Sequence, residues 1–143
     1  MIYLCYALVL LVNNNNQALL LLRSPSSSFG PNQYCLVGGG IEKNENPTDC
    51  AIREVAEELG IILKQEDLSF IGVTYKKKSP TVMLIAFTFK ATTWQGTPTN
   101  KEPDKHSKLG WFDLNRLPAT MLPTHKKMVQ KYLSKEFYLE DGF

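Results

Sequence analysis

The chain opens on MIYLCYALVLLV, residues 1–12, which is apolar almost without interruption. A bilayer-spanning helix needs about 20 such residues, and this run is too short for that. It also lacks a basic start and is followed by Asn13–Asn16 rather than by a small-residue cleavage site, so it does not read as a signal peptide. A run this apolar has to be covered by the rest of the protein, and it is read as a buried strand. Ala18–Arg23 is a second apolar run, and Asn13–Gln17 between the two gives a strand–turn–strand signal.

Further strands are expected at Leu68–Tyr75, at Val82–Ala91 (VMLIAFTFKA) and in LGWFDL, residues 109–114. Tyr34–Val37 is a short apolar run that leads into Gly38–Gly40. Ser24–Asn32 and Thr92–Lys108 have loop composition. One helix is expected after Asn46 as N-cap, with Pro47 in its first position and Gly60 past its end. A second is expected from about Thr124 to Ser134, with Thr124 as its cap. Trp111, Phe112 and Leu117 read as core, and His106 and His125 as surface residues without metal-like spacing. Strands mixed with two helices in 143 residues predict one α/β domain over 1–143, with helices packed on a mixed sheet.

Composition narrows the function classes. With 43% hydrophobic and 21% charged residues the chain is neither disordered nor fibrous. A net charge of +2 is too small to argue for a stable nucleic-acid partner. Cys5, Cys35 and Cys50 are an odd set without Cys-x-x-Cys spacing, which argues against a disulfide framework and a zinc site. A reduced, cytoplasmic setting and no membrane association are expected.

The chemistry concentrates in GGGIEKNENPTDCAIREVAEELGI, residues 38–61. At about 100° per residue, Glu54, Glu57 and Glu58 fall in one sector of the first helix. Ile52, Val55, Ala56 and Leu59 fall opposite, so the helix is expected to pack by that face and to show its carboxylates on the other. Like charges at i,i+3 and i,i+4 are each unfavourable by about 0.2–0.5 kcal/mol, and only Arg53 is near to offset them. Two readings remain: a solvated acidic face, or a ligand set for Mg²⁺ or Mn²⁺, which prefer clustered carboxylate oxygens.

The same stretch resembles the Nudix box, G-x5-E-x7-R-E-U-x-E-E-x-G-U with U aliphatic, through Gly39, Glu45, Arg53, Glu54, Val55, Glu57, Glu58, Gly60 and Ile61. The resemblance to the Nudix (MutT-like) hydrolases implies an α/β/α sandwich with a mixed sheet. It also implies hydrolysis of a nucleoside diphosphate linked to another group. Carried over residue by residue, it makes Glu54, Glu57 and Glu58, with the carbonyl of Gly39, ligands to Mg²⁺ or Mn²⁺. It makes Arg53 the holder of a catalytic glutamate and Glu45 a support of the loop–helix geometry. Gly38, Gly39 and Gly40 let substrate approach the backbone, or simply turn the chain from strand to helix. Where the family commonly has proline before the glycines, this chain has Val37, which bears on loop stiffness.

Outside the box the reading is less determined. Glu102, in NKEPDKHS, stands where many MutT-like members carry an extra carboxylate, as an added metal ligand or general base; a surface glutamate is the alternative. Arg23 ends the LLLLRS run that overlaps the start of a coenzyme A pyrophosphatase pattern, but Ser28, Asn32, Leu36 and Val37 miss its later positions. The array of NADH pyrophosphatases is absent, and the proline of ADP-ribose hydrolases would fall near Lys76 or Lys77, where none stands. By elimination the expected substrate is a small-molecule nucleotide, a nucleoside tri- or diphosphate. Phe29 and Tyr34 are candidates to stack on its base, with core packing the alternative for Tyr34. Tyr75–Lys78 is either a solvated strand end or a phosphate contact. A nucleotide-sensing module without turnover and an RNA-decapping enzyme share the box and remain as alternatives. A homodimer is left open by the resemblance.

Overall fold

The computed structural model describes residues 1–143. Its strands are β1 (Ile2–Leu11), β2 (Gln17–Arg23), β3 (Tyr34–Cys35), β4 (Val37–Gly40), β5 (Ser69–Ser79), β6 (Val82–Ala91), β7 (His106–Asp113) and β8 (Tyr138–Asp141). Its helices are α1 (Pro47–Leu59) and α2 (Pro123–Leu133), and a 3₁₀ turn spans Gln65–Asp67. A five-stranded sheet in the order β4-β1-β6-β5-β8 and a three-stranded sheet in the order β3-β2-β7 carry the fold. The larger sheet is mixed: β1 runs parallel to β6 and antiparallel to β4, and β5 runs parallel to β8 and antiparallel to β6.

The uninterrupted apolar runs follow from burial on both faces. Along β1, Ala7, Val9 and Leu11 join the core of α1, with Cys50, Ala51, Val55 and Leu59. The alternate residues Leu8 and Leu10, with Val12 just beyond the strand, join Met128 and Val129 of α2. β2 divides in the same way, Leu19 and Leu21 toward α1 and Ala18 and Leu20 toward α2. A strand with a helix over each side has no polar face to offer, hence an α/β/α sandwich. No helix is long and apolar enough to cross a membrane.

The strand–turn–strand signal at the start holds, with the Asn13 N–H donating to the Gln17 carbonyl at 3.0 Å, but the two strands do not go on to pair along their length. β1 pairs with β4 on one side and with β6 on the other, in register from Ile2–Val82 to Leu11–Ala91. Both edges of β1 are therefore taken, and β2 meets it only through the bridge Val12–Ala18 before entering the second sheet. Gly38–Gly40 are also strand rather than turn, paired with Leu8, Ala7 and Tyr6. β5 reaches Ser79, beyond the expected Tyr75, because its ladder with β6 continues to Ser79–Val82. β8 was not foreseeable from four residues of mixed polarity; it exists because β5 offers it an edge.

α1 has the expected ends: the Asn46 side chain accepts from the Asp49 N–H at 2.8 Å, and Gly60 closes the helix at φ 70°. In α2 the capping position is Leu122, not Thr124. Thr124 lies inside the first turn and donates its hydroxyl to Asp141 at 2.6 Å, so it ties α2 to β8 instead. Trp111, Phe112 and Leu117 are half-buried and pack against the two cores.

Candidate active site

The site forms where α1 lies across β4. Gly38 has φ +145°, and a Cβ there would stand 2.2 Å from the Ala7 carbonyl oxygen, so only glycine fits. At Gly39 a Cβ would meet the Glu54 carboxyl at 2.5 Å, which places that carboxyl directly on the strand. The Cys50 thiol donates toward the Gly39 and Gly40 carbonyls at 3.6 and 3.5 Å.

The acidic sector of α1 therefore does not face solvent as its spacing suggested. Glu58 is only 4% exposed, and its Oε1 accepts from the Gly38 N–H at 3.2 Å. Glu54 is largely covered and Glu57 is half exposed. Ala56, expected on the packing side, is exposed, and Cys50 and Ala51 take core positions in its place. The reason is what lies beneath: the sector carrying Glu54 and Glu58 abuts the glycine strand, where the missing side chains leave room for carboxylates.

Arg53 organises one half of the cluster. Its Nε and Nη2 donate to Glu45 at 2.7 and 2.9 Å, a bidentate pair. Nη1 donates to Glu54 at 2.9 Å and to Glu57 at 3.3 Å, and Nη2 to the Gly40 carbonyl at 3.2 Å. The guanidinium holds the Glu45 carboxyl down at about 2, with the Glu42 backbone N–H assisting. The paired carboxylates push Arg53 above its ordinary range.

The other half lies beneath the loop before β7. The Lys101 and Thr99 N–H groups donate to the carbonyls of Glu58 and Leu59 at 3.0 Å each, docking the loop on the C-terminal turn of α1. Asn100 bonds Glu102 N–H through its Oδ1 at 3.2 Å and the His106 carbonyl through its Nδ2 at 2.7 Å. Glu102 is thus half-buried, paired at 3.2 Å with the exposed Lys105. Burial pushes the Glu58 carboxyl up to about 9, and the neighbouring Glu54 and Glu102 add to it. His106 is buried rather than superficial, with Nε2 3.9 Å from Glu58 Oε2 and with no partner for Nδ1. Its burial lowers its pKa. One ligand atom from each of Glu58, Glu102 and His106 lies within 4.8 Å of the others. His106 was missed because the signal is spatial: it enters the site as the first residue of β7, opposite Arg23 of β2.

His125 is likewise not a surface residue. Its Nδ1 accepts from the Leu36 N–H at 3.0 Å, and burial lowers its pKa to about 4, so the ring is neutral and structural. Arg23 donates to the Phe29 carbonyl at 2.7 Å and to Ser27 at 2.9 Å, folding the Ser24–Asn32 loop over itself. Phe29 is exposed, with the Arg23 guanidinium 5.4 Å and the Lys78 ammonium 5.6 Å from its ring centre. Tyr34 is half-buried and edge-on to Phe112 at 4.7 Å, turned into the core more than into the site. Lys76 is held away from the cluster by Thr124 and Asp141.

Comparison with known proteins follows this geometry. The NUDIX domain model matches residues 5–132. The mRNA-decapping enzyme subunit 2 of Saccharomyces cerevisiae is 30% identical over 104 residues, 71% of this chain and 10% of that protein. The diphosphoinositol polyphosphate phosphohydrolase 2 of Homo sapiens is 32% identical over 111 residues, 77% of this chain and 58% of that protein. The chain thus spans between about a tenth and three-fifths of the length of these relatives. The crystal structure of a MutT NUDIX hydrolase from Burkholderia pseudomallei superposes with a TM-score of 0.81 at 24% identity, covering 91% of this chain and 98% of that one. That likeness speaks for the fold.

Proposed function

The chain belongs to the Nudix family, and from that premise we propose that it hydrolyses a pyrophosphate bond in a nucleoside tri- or diphosphate with the help of Mg²⁺ or Mn²⁺. The observation that carries this reading is a gathering of carboxylates with too few cations of the chain's own: Glu54 and Glu58 lie on the glycine strand, Glu102 stands beside Glu58, and Glu57 shares Arg53 with Glu54. Arg53 is already engaged with Glu45, and Lys105 is exposed. Two carboxylates drawn out of water, Glu58 fully and Glu102 in part, cost stability unless a further positive charge joins them. Hard oxygen donors in that density fit a divalent cation.

In this reading Glu54, Glu57, Glu58, Glu102 and the Gly39 carbonyl would hold the ion. The ion would supply charge for the phosphate oxygens and acidify an attacking water. The residues of the chain then have separable tasks. Arg53 ties the Glu54 and Glu57 carboxylates together through one nitrogen while its other two are anchored on Glu45. Glu102, on a loop pinned to α1, would serve as an added ligand or instead take the proton of the water. Gly38–Gly40 present backbone without side chains to the diphosphate. Phe29, with Arg23 and Lys78 beside it, offers a ring face and positive charge to a base and its phosphates. The three free cysteines agree with a reducing, cytoplasmic setting.

The test is product analysis on a panel of nucleoside tri- and diphosphates, a dinucleotide and a capped RNA, with Mg²⁺ or Mn²⁺ and then with chelator. Release of pyrophosphate or phosphate from the simple nucleotides, abolished by chelator, is expected. Tight nucleotide binding without product under any cation would mark a binding module instead, and cleavage confined to the capped RNA would move the substrate class.

A further inference from the structure

His106 is the one polar group of the site that the reading above leaves without a task. Its side chain is 8% exposed, and its Nδ1 is buried with no hydrogen-bond partner. Its Nε2 stands 3.9 Å from Glu58 Oε2, outside hydrogen-bonding distance yet aimed at the carboxylates. A buried imidazole that makes no hydrogen bond through either nitrogen is uncommon, and it leaves a ring nitrogen free to bind an ion. Glu58 and Glu102 are beside it, and the three donor atoms lie within 4.8 Å of one another. Two donors on opposite sides of an ion, each at about 2.1 Å, are about 4.2 Å apart, so the trio can share one ion after small side-chain shifts.

The geometry points to a divalent-cation site made by Glu58, Glu102 and His106, in which the imidazole is a nitrogen ligand and biases the site toward transition metals over Mg²⁺. This rests on the reading that a cation sits among the glutamates, and it changes which cation is preferred. A purely oxygen set suits Mg²⁺, Ca²⁺ and Mn²⁺, whereas imidazole adds affinity along the series from Mn²⁺ through Co²⁺ to Ni²⁺. The fold supports the placement. His106 opens β7 against Arg23, its carbonyl is held by Asn100, and Asn100 also accepts from the Glu102 N–H, so one side chain ties both loop-borne donors together. Glu58 comes from α1, which the loop clasps through Lys101 and Thr99.

The decisive measurement needs no variant: pulsed electron spin resonance of Mn²⁺ bound to the intact protein, prepared with natural-abundance and with ¹⁵N-labelled histidine. Histidine nitrogen modulation that changes with the label is expected. In parallel, titration calorimetry should rank Co²⁺ above Mn²⁺ above Mg²⁺, with Co²⁺ at least about tenfold tighter than Mg²⁺. His106→Gln, checked for folding by its far-ultraviolet spectrum, should lose most of that preference while binding Mg²⁺ within about threefold of the parent. Mn²⁺ bound without histidine modulation would overturn this inference and leave the hydrolase reading standing. No binding of any of the three cations would overturn both.

Discussion

The two halves of the carboxylate cluster are balanced in opposite ways. Around Arg53, Glu45 is met by two nitrogens and Glu54 and Glu57 by a third, so one cation ties three acids together and fixes their geometry without neutralising them. Around Glu58, the most deeply covered acid of the cluster, and the half-buried Glu102, the neighbours are a histidine whose pKa burial lowers and a lysine in solvent. One helix carries both arrangements, separated by little more than a turn. The comparison teaches that the first half is positioned by a cation of the chain's own, whereas the second has none within its own covered part.

Variants should split along that line. The largest effect is expected at Glu58→Gln, which removes the most covered acid: kcat should fall by about 10³-fold or more, while the metal-free protein at pH 8 melts no lower than the parent. A variant that keeps its turnover would break the comparison. Next comes Glu102→Gln, with a loss of about 10²-fold in kcat and a melting temperature within about 2 °C of the parent. Steady-state kinetics beside thermal melts checks both.

Arg53→Lys should behave differently, because an ammonium cannot reproduce the bidentate grip on Glu45 together with the reach to Glu54. It should lower the melting temperature by roughly 3–6 °C and kcat together. A variant that lost activity at full stability would mean that Arg53 also belongs to the uncompensated half.

The smallest effect is a pH dependence of the metal-free protein. The folded-state pKa of Glu58, about 9, lies above its ordinary 4.5, so the native state keeps a proton that the unfolded chain releases. Stability from this group is complete at acid pH and is lost as pH rises from about 4.5 to 9, by at most about 1.4 kcal/mol per pH unit. Glu45, depressed to about 2, has the reverse sign, and its contribution is lost as pH falls from 4.5 toward 2. Urea titrations across pH 7–9, above the range in which the buried His106 and His125 make stability rise with pH, should show a downward slope that Glu58→Gln flattens; an unchanged slope in the variant would assign the dependence elsewhere.

Much of this was legible along the chain because it depends on neighbours in sequence. Asn46, Pro47 and Gly60 delimit α1 through local hydrogen bonds and backbone preference, and the spacing of Glu54, Glu57 and Glu58 follows from helical pitch. The apolar runs at Ile2–Leu11 and Val82–Ala91 mark buried strands by composition alone. The box from Gly39 to Ile61 sufficed to suggest the family.

What only the tertiary structure decided depends on which surfaces meet. Helical spacing groups the three glutamates but cannot say what stands against them, so their side of α1 read as solvent-facing until β4 was seen beneath it. The strand–turn–strand signal gives β1 and β2 but not their partners, and β4 and β6 take both edges of β1. His106, His125 and Thr124 have unremarkable local sequence, and their surroundings come from a carboxylate 48 residues away, a backbone amide 89 residues away and an acid 17 residues ahead. Local pattern follows from the short-range stereochemistry of the backbone; burial and charge balance are sums over groups brought together only by packing.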